Sequence, residues 1–149
     1  MKRNTVLSLL LVTAVVVAVF STPGVAATAS ITADPNDPDV TSTHSVVSVV
    51  GSDADSASLN GLKVAYQSTG QNHDVSDVGT SDIVKVGIDR GGNDSGTTID
   101  VNVNDDLSSV GVSNNGETLK IGFGGSYSLQ EGDEIVAVYD DAQNPSAGD

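Results

Sequence analysis

The sequence predicts an all-β protein: an immunoglobulin-like β-sandwich of seven or eight short strands behind an N-terminal signal helix. Three observations carry this expectation. Beyond the N-terminal segment, apolar residues recur in period two over short runs, the mark of strands with one buried face. Asn-Gly and Gly-rich clusters separate those runs and supply the positive φ angles of tight turns. No segment holds a sustained apolar stripe at the 3.6-residue helical period. Evenly spaced short strands within about 120 residues are the pattern of a sandwich, with a small barrel as second choice.

The elements follow in chain order. Met1-Lys2-Arg3-Asn4 is a short basic start, followed by Val6–Phe20, an apolar run relieved only by Ser8 and Thr13. Ser21-Thr22-Pro23-Gly24 then breaks a helix ahead of the small residues Val25-Ala26-Ala27. This is the layout of a secretory signal peptide, residues 1–27, with cleavage after Ala27 and Ala29 as the alternative. An uncleaved anchor needs about 20 apolar residues to span a bilayer, more than this run offers. A pilin-type leader lacks its small residue beside an acidic one ahead of the run. Residues 28–42, with Asp34-Pro35-Asn36-Asp37-Pro38-Asp39, are expected to be a flexible acidic segment.

The sandwich domain is expected over residues 43–149. Thr43–Val50 puts Val47 and Val49 on one face; Leu62, Val64 and Tyr66 alternate with polar or small neighbours, as do Val84, Val86 and Ile88. Ile99, Val101 and Val103 alternate most cleanly, against Asp100, Asn102 and Asn104. Val110 and Val112 lead through Asn114-Asn115-Gly116 to Leu119, Ile121 and Phe123, the strongest hairpin signal in the chain. Ile135, Ala137 and Tyr139 close the series, with Val136 and Val138 on the opposite face.

The charge is extreme. Twenty acids, seventeen of them Asp, face six basic residues, two of which (Lys2 and Arg3) lie in the leader. Such an excess on a folded domain reads as adaptation to concentrated salt, where repulsion is screened within about 3 Å and hydrated carboxylates hold water at the surface. The same charge repels nucleic acid and anionic membranes. The chain has no cysteine, hence no thiol nucleophile, CxxC pair or cysteine zinc site.

A string of short motifs carries a resemblance: Asp74-Val75-Ser76-Asp77-Val78-Gly79, Val86-Gly87-Ile88-Asp89-Arg90, Ser113–Leu119, Ile121–Tyr127 and Leu129–Asp133, then Val138-Tyr139 and Asn144-Pro145. Over residues 40–149 the chain resembles the extracellular β-sandwich domains of haloarchaeal surface and adhesin-like proteins. The resemblance implies a secreted or cell-surface protein. It also implies a final alternating strand after an Asn-Pro-x-x-Ala-Gly segment, where this sequence stops at Asp149. A sandwich short of its last strand has an open edge that accepts a strand from another chain; a truncated reading frame is the plain explanation.

Candidate sites are few. Asp89, Asn93, Asp94 and Asp100 could form an irregular Ca²⁺ site, set against a solvated hairpin; the run lacks EF-hand order because Gly91 takes the third position. Asn93-Asp94-Ser95 is the one N-x-S/T sequon with a permitted middle residue, making Asn93 the glycosylation candidate. The acidic groups Asp34/Asp37/Asp39, Asp105/Asp106 and Asp140/Asp141 read as solvated turns. His44 and His73 have no partner motif, and His44 falls in a strand where an outward face is the default. No nucleophile elbow, zinc-protease motif or phosphate loop is present, so no catalytic residue, enzyme activity or cofactor is assigned, calcium aside. Tyr66, Phe123 and Tyr139 read as core, leaving Tyr127 as the one aromatic for an exposed contact. The expected function is a secreted, halophilic cell-surface protein with a structural or adhesin-like role. Its partners would be proteins or surface polymers, itself included through an open sheet edge, and it would meet the membrane only through an uncleaved leader. The alternative is a carbohydrate- or calcium-binding module of a larger exoprotein.

Overall fold

The structure, a computed structural model, describes residues 15–18, 25–27, 29–66 and 72–146. Two antiparallel sheets face one another as a β-sandwich, and the described residues contain no α-helix. One sheet runs β3 (Ala29–Asp34), β4 (Thr41–Val49), β10 (Glu134–Gln143), β6 (Ile83–Asp89), β7 (Val101–Asn102) in spatial order. The other has β5 (Gly61–Ala65), β9 (Thr118–Phe123) and β8 (Leu107–Ser113), continued beyond β5 by β1 (Val15–Ala18) and β2 (Val25–Ala27). Counted from β3, the order differs from the immunoglobulin arrangement in both sheets: β9, the seventh strand, is central between β5 and β8, where the immunoglobulin order has its sixth. The last strand, β10, lies between the second and fourth, where the immunoglobulin order has its fifth.

Part of the segment expected to be a leader departs from the helix predicted for it. Val15–Ala18 are a strand, with Val15, Val16 and Val17 opposite Ala65, Val64 and Lys63 of β5. Successive valines favour this outcome, since branching at Cβ restricts χ1 in a helix and packs well on a pleated sheet. Residues 1–14 and 19–24, and with them most of the expected signal helix, lie outside the described residues, as does 147–149. The segment 28–42, expected to be flexible, carries β3 along the edge of its sheet, from Ala29 opposite Ser48 to Asp34 opposite Thr43. The turn that follows is tied down by Asn144, whose Nδ2 donates to the carbonyls of Pro35 and Asp37 at 2.9 Å each.

The core lies between the sheets. Leu62, Val64, Leu119 and Ile121 meet Ile31, Val46, Ile88 and Ile135, all 2 % exposed or less. The phase of β4 is opposite to the one the sequence suggested: Ser42, His44, Val46 and Ser48 face inward, while Val49 is 38 % exposed. Both phases of this strand are about equally apolar, and pairing with β10 decides between them. That pairing sets Val46 opposite Ala137 and His44 opposite Tyr139, all fully buried. In β6, Val86 and Ile88 are buried but Val84 is 53 % exposed, because the register with β10 shifts between Val138 and Tyr139.

The run at Ile99–Val103 is also corrected. Only Val101–Asn102 are strand; Val103 turns into the core, while Ile99 crosses the outer face of β6. Gly87 makes that crossing possible, since a Cβ there would stand 2.5 Å from Ile99 Cδ1 and 2.6 Å from the Val101 carbonyl. Lys85 Nζ fastens the same segment by donating to the Thr97 carbonyl at 2.8 Å. The β8–β9 hairpin forms as its sequence predicts, with Asn114, Asn115 and Gly116 all at positive φ.

Candidate functional site

Three arrangements could carry chemistry, and the first is the loop between β6 and β7. β6 ends at Asp89, and the chain turns back at once through Gly91 and Gly92, at φ 72° and 58°. That turn is pinned by Asp133, a buried residue that the sequence did not single out as a candidate. Its carboxylate accepts from Gly91 N at 3.0 Å, from Gln130 N at 2.9 Å and from Arg90 Nη1 at 2.5 Å. Arg90 Nη1 also donates to the Ser128 carbonyl, so this guanidinium is committed away from the loop's other acids.

Those acids converge. Asp89, Asp94 and Asp100 each bring a carboxylate oxygen to within 4.8 Å of the others. Asp89 is 1 % exposed; its Oδ2 accepts from Asp94 N at 3.1 Å, and its Oδ1 has no hydrogen-bond partner. Asp100 Oδ2 accepts from Arg90 N at 2.8 Å. Asn93, the fourth residue expected here, donates its Nδ2 to the Arg90 carbonyl at 3.0 Å, which closes the turn. Asn93 is exposed, as a glycosylation site requires.

The second arrangement is buried. His44 does not face outward as the sequence suggested; it is fully buried, with Nδ1 2.6 Å from Tyr66 Oη and Nε2 2.9 Å from Asn144 Oδ1. Tyr66 Oη lies 2.5 Å from Tyr139 Oη, linking the two sheets. His73 stacks on Tyr66 at 4.6 Å between centroids and meets His44 edge-on at 5.8 Å, yet neither of its ring nitrogens has a partner. Burial pushes both histidines down, His73 to about 4 with the positive charge of a protonated His44 adding to the effect. Burial also raises both tyrosines. Neutral rings and protonated phenols sealed from solvent suit a structural polar network, not acid–base chemistry at neutral pH.

The third is a surface. On the outer face of β5, β9 and β8, Lys63 stands opposite Lys120, and Lys120 opposite Gly111; the adjacent row is Gly61, Gly122 and Ser109. These two rows hold two of the four basic residues beyond residue 27 and no acid, around a shallow depression of about 320 Å³. Tyr127, the expected exposed contact, is half-buried against the core and donates its hydroxyl to Asp105 at 2.8 Å. Asp106 accepts from Ser126 N and Oγ, which holds its carboxyl below the usual range. Set against protein-family models, curated proteins and solved structures, the chain matches none.

Proposed function

We propose that the chain is a secreted, halophilic cell-surface protein. Its β-sandwich has a structural or interaction role in the envelope and works by accepting a strand at the edge of β5. The observation that carries this reading is the antiparallel pairing of β5 with Val15–Ala18, a segment inside the expected signal peptide. Cleavage after Ala27 falls between β2 and β3, so it removes both leader strands and leaves the first sheet intact. The mature chain then has a three-stranded sheet whose β5 edge presents unpaired N–H and C=O groups beside the buried Leu62 and Val64. An apolar strand from a neighbouring molecule satisfies that edge as Val15–Ala18 does.

The outer face of the same sheet supports an interaction role. At molar salt, long-range attraction is screened, and what opposes contact is the hydration held by carboxylates. The rows around Lys63 and Lys120 lack carboxylates and are lined by small residues, so they can dehydrate against an acidic neighbour. Sedimentation of two chains in about 3 M KCl tests the reading. A chain beginning at Thr28 should associate with rising concentration, whereas one beginning at Val15, which keeps its own β1 and β2, should remain monomeric. Two monomeric chains over the same concentrations would remove strand addition as the mode of action.

A further inference from the structure

We propose that Asp89, Asp94 and Asp100 form a Ca²⁺ site in the loop between β6 and β7. The inference does not rest on strand addition, since the loop belongs to the other sheet. Carboxylate clusters on an acidic protein are common, and convergence within 4.8 Å is by itself unremarkable in a chain with twenty acids. What separates this cluster is Asp89. Its carboxylate is buried to 1 % exposure, and its Oδ1 receives no hydrogen bond. A buried anionic oxygen without a donor is costly, and two further carboxylates beside it add repulsion. The two basic residues that reach this loop are engaged elsewhere, Arg90 by Asp133 and the Ser128 carbonyl and Lys85 by the Thr97 carbonyl. Glu134, opposite Asp89 on β10, adds a fourth acid at the same strand end, and among the described residues no basic side chain forms an ion pair with Asp89, Asp94 or Asp100.

A bound divalent cation resolves each of these features. Ca²⁺ takes six to eight oxygen ligands at about 2.3–2.6 Å in flexible geometry, so three carboxylates and several waters can satisfy it. Asp94 and Asp100 are exposed, which leaves room for those waters. Mg²⁺ demands a near-ideal octahedron and gives up water reluctantly, so an irregular loop should discriminate against it. With few protein ligands, the affinity belongs with extracellular modules, at a dissociation constant of about 10⁻⁴–10⁻³ M.

The full chain, stripped of metal in molar KCl, is titrated with CaCl₂ and with MgCl₂ while heat uptake and thermal unfolding are followed. The expected result is one saturable Ca²⁺ equivalent and a rising melting temperature. At ten times the dissociation constant, the unfolding equilibrium should fall about 11-fold. Asp94→Asn alters an exposed side chain and should weaken Ca²⁺ binding about tenfold or more. Asp89→Asn should abolish the response, yet melt no lower than the metal-free parent because it removes one of three crowded charges. Asp53→Asn, an exposed acid on another loop, should behave as the parent. No saturable response up to about 10 mM Ca²⁺ would overturn the site. So would an equal response in the parent, Asp94→Asn and Asp53→Asn, the signature of diffuse binding to an acidic surface. Should Asp89→Asn not fold, the contrast between Asp94→Asn and Asp53→Asn still decides.

Discussion

His73 packs against Tyr66 and His44 at the side of the buried polar cluster with both ring nitrogens unpartnered, so no hydrogen bond offsets the cost of charging it. Its folded pKa, lowered to about 4 from an ordinary 6.5, ties stability to pH. As pH falls, the unfolded chain takes up its proton first. The histidine's contribution is therefore full above about pH 6.5 and is lost as pH falls toward 4. His44, lowered in the same direction by burial, adds to the loss as pH falls below about 6.5. The lowered carboxylates of Asp74 and Asp106 act only below their ordinary 3.8, so the histidine window is separate. His73→Phe keeps the ring stacked on Tyr66 while removing the titrating group. Denaturant unfolding should show the variant at least as stable as the parent at pH 7, with the drop between pH 7 and pH 4.5 reduced by at most about 3 kcal/mol. Parallel curves for the two proteins would show that His73 is not the source of the dependence.

At the scale of elements, the segment joining β6 to β7 depends on a glycine in the strand it crosses. Any Cβ at position 87 meets Ile99 and, less forgivingly, the Val101 carbonyl of the paired strand. Gly87→Ala should therefore cost about 1–3 kcal/mol, read as a lower urea midpoint, and should expose residues 93–100 to protease before the rest of the domain. Trimming the other partner with Ile99→Ala should recover only part of the loss, because the carbonyl stays. Full recovery would assign the clash to the side chain alone. None of this was legible in the sequence, where Ile99, Val101 and Val103 look like one regular strand; alternation does not show that the chain leaves its sheet and crosses it. The β8–β9 hairpin was legible because Asn115-Gly116 fixes turn and register together. β5 and β9 were legible because only one of their phases is apolar. β4 was not, since Val47 and Val49 compete with Val46 and Val50, and the inward placement of His44 follows from a strand nearly a hundred residues away. The three aspartates of the loop could be picked out as candidates, but the unpartnered oxygen of Asp89, which distinguishes them from other acids, exists only once the loop is folded.

For the whole molecule, the proposed halophily makes charge decide the solvent in which these contacts suffice. Beyond residue 27, twenty acids stand against four basic residues, and the structure pairs only one of the four, Arg90 with Asp133, in an ion pair among the described residues. The acids are therefore compensated by solvent, not by partners. At about 0.1 M salt the Debye length is about 10 Å, comparable to the spacing of surface charges on a small domain, and repulsion acts across the whole surface. At about 1 M it is near 3 Å, and each carboxylate interacts with little beyond its own hydration shell. A domain of this size draws on a net stability of only about 5–15 kcal/mol, so an unscreened excess of this magnitude can outweigh it. Far-UV circular dichroism should accordingly show the β-sheet signal collapsing as KCl is lowered from about 3 M to 0.1 M and returning when salt is restored. Replacing the exposed Asp53, Asp77 and Asp140 by Asn should move the midpoint of that transition to lower salt while leaving the folded spectrum unchanged. Uncharged sucrose at matched water activity should not substitute for KCl if screening is the cause. A chain that keeps its sheet signal at 0.1 M KCl would show that the core and the buried His–Tyr network outweigh the repulsion, and that the acid excess serves some end other than life in brine.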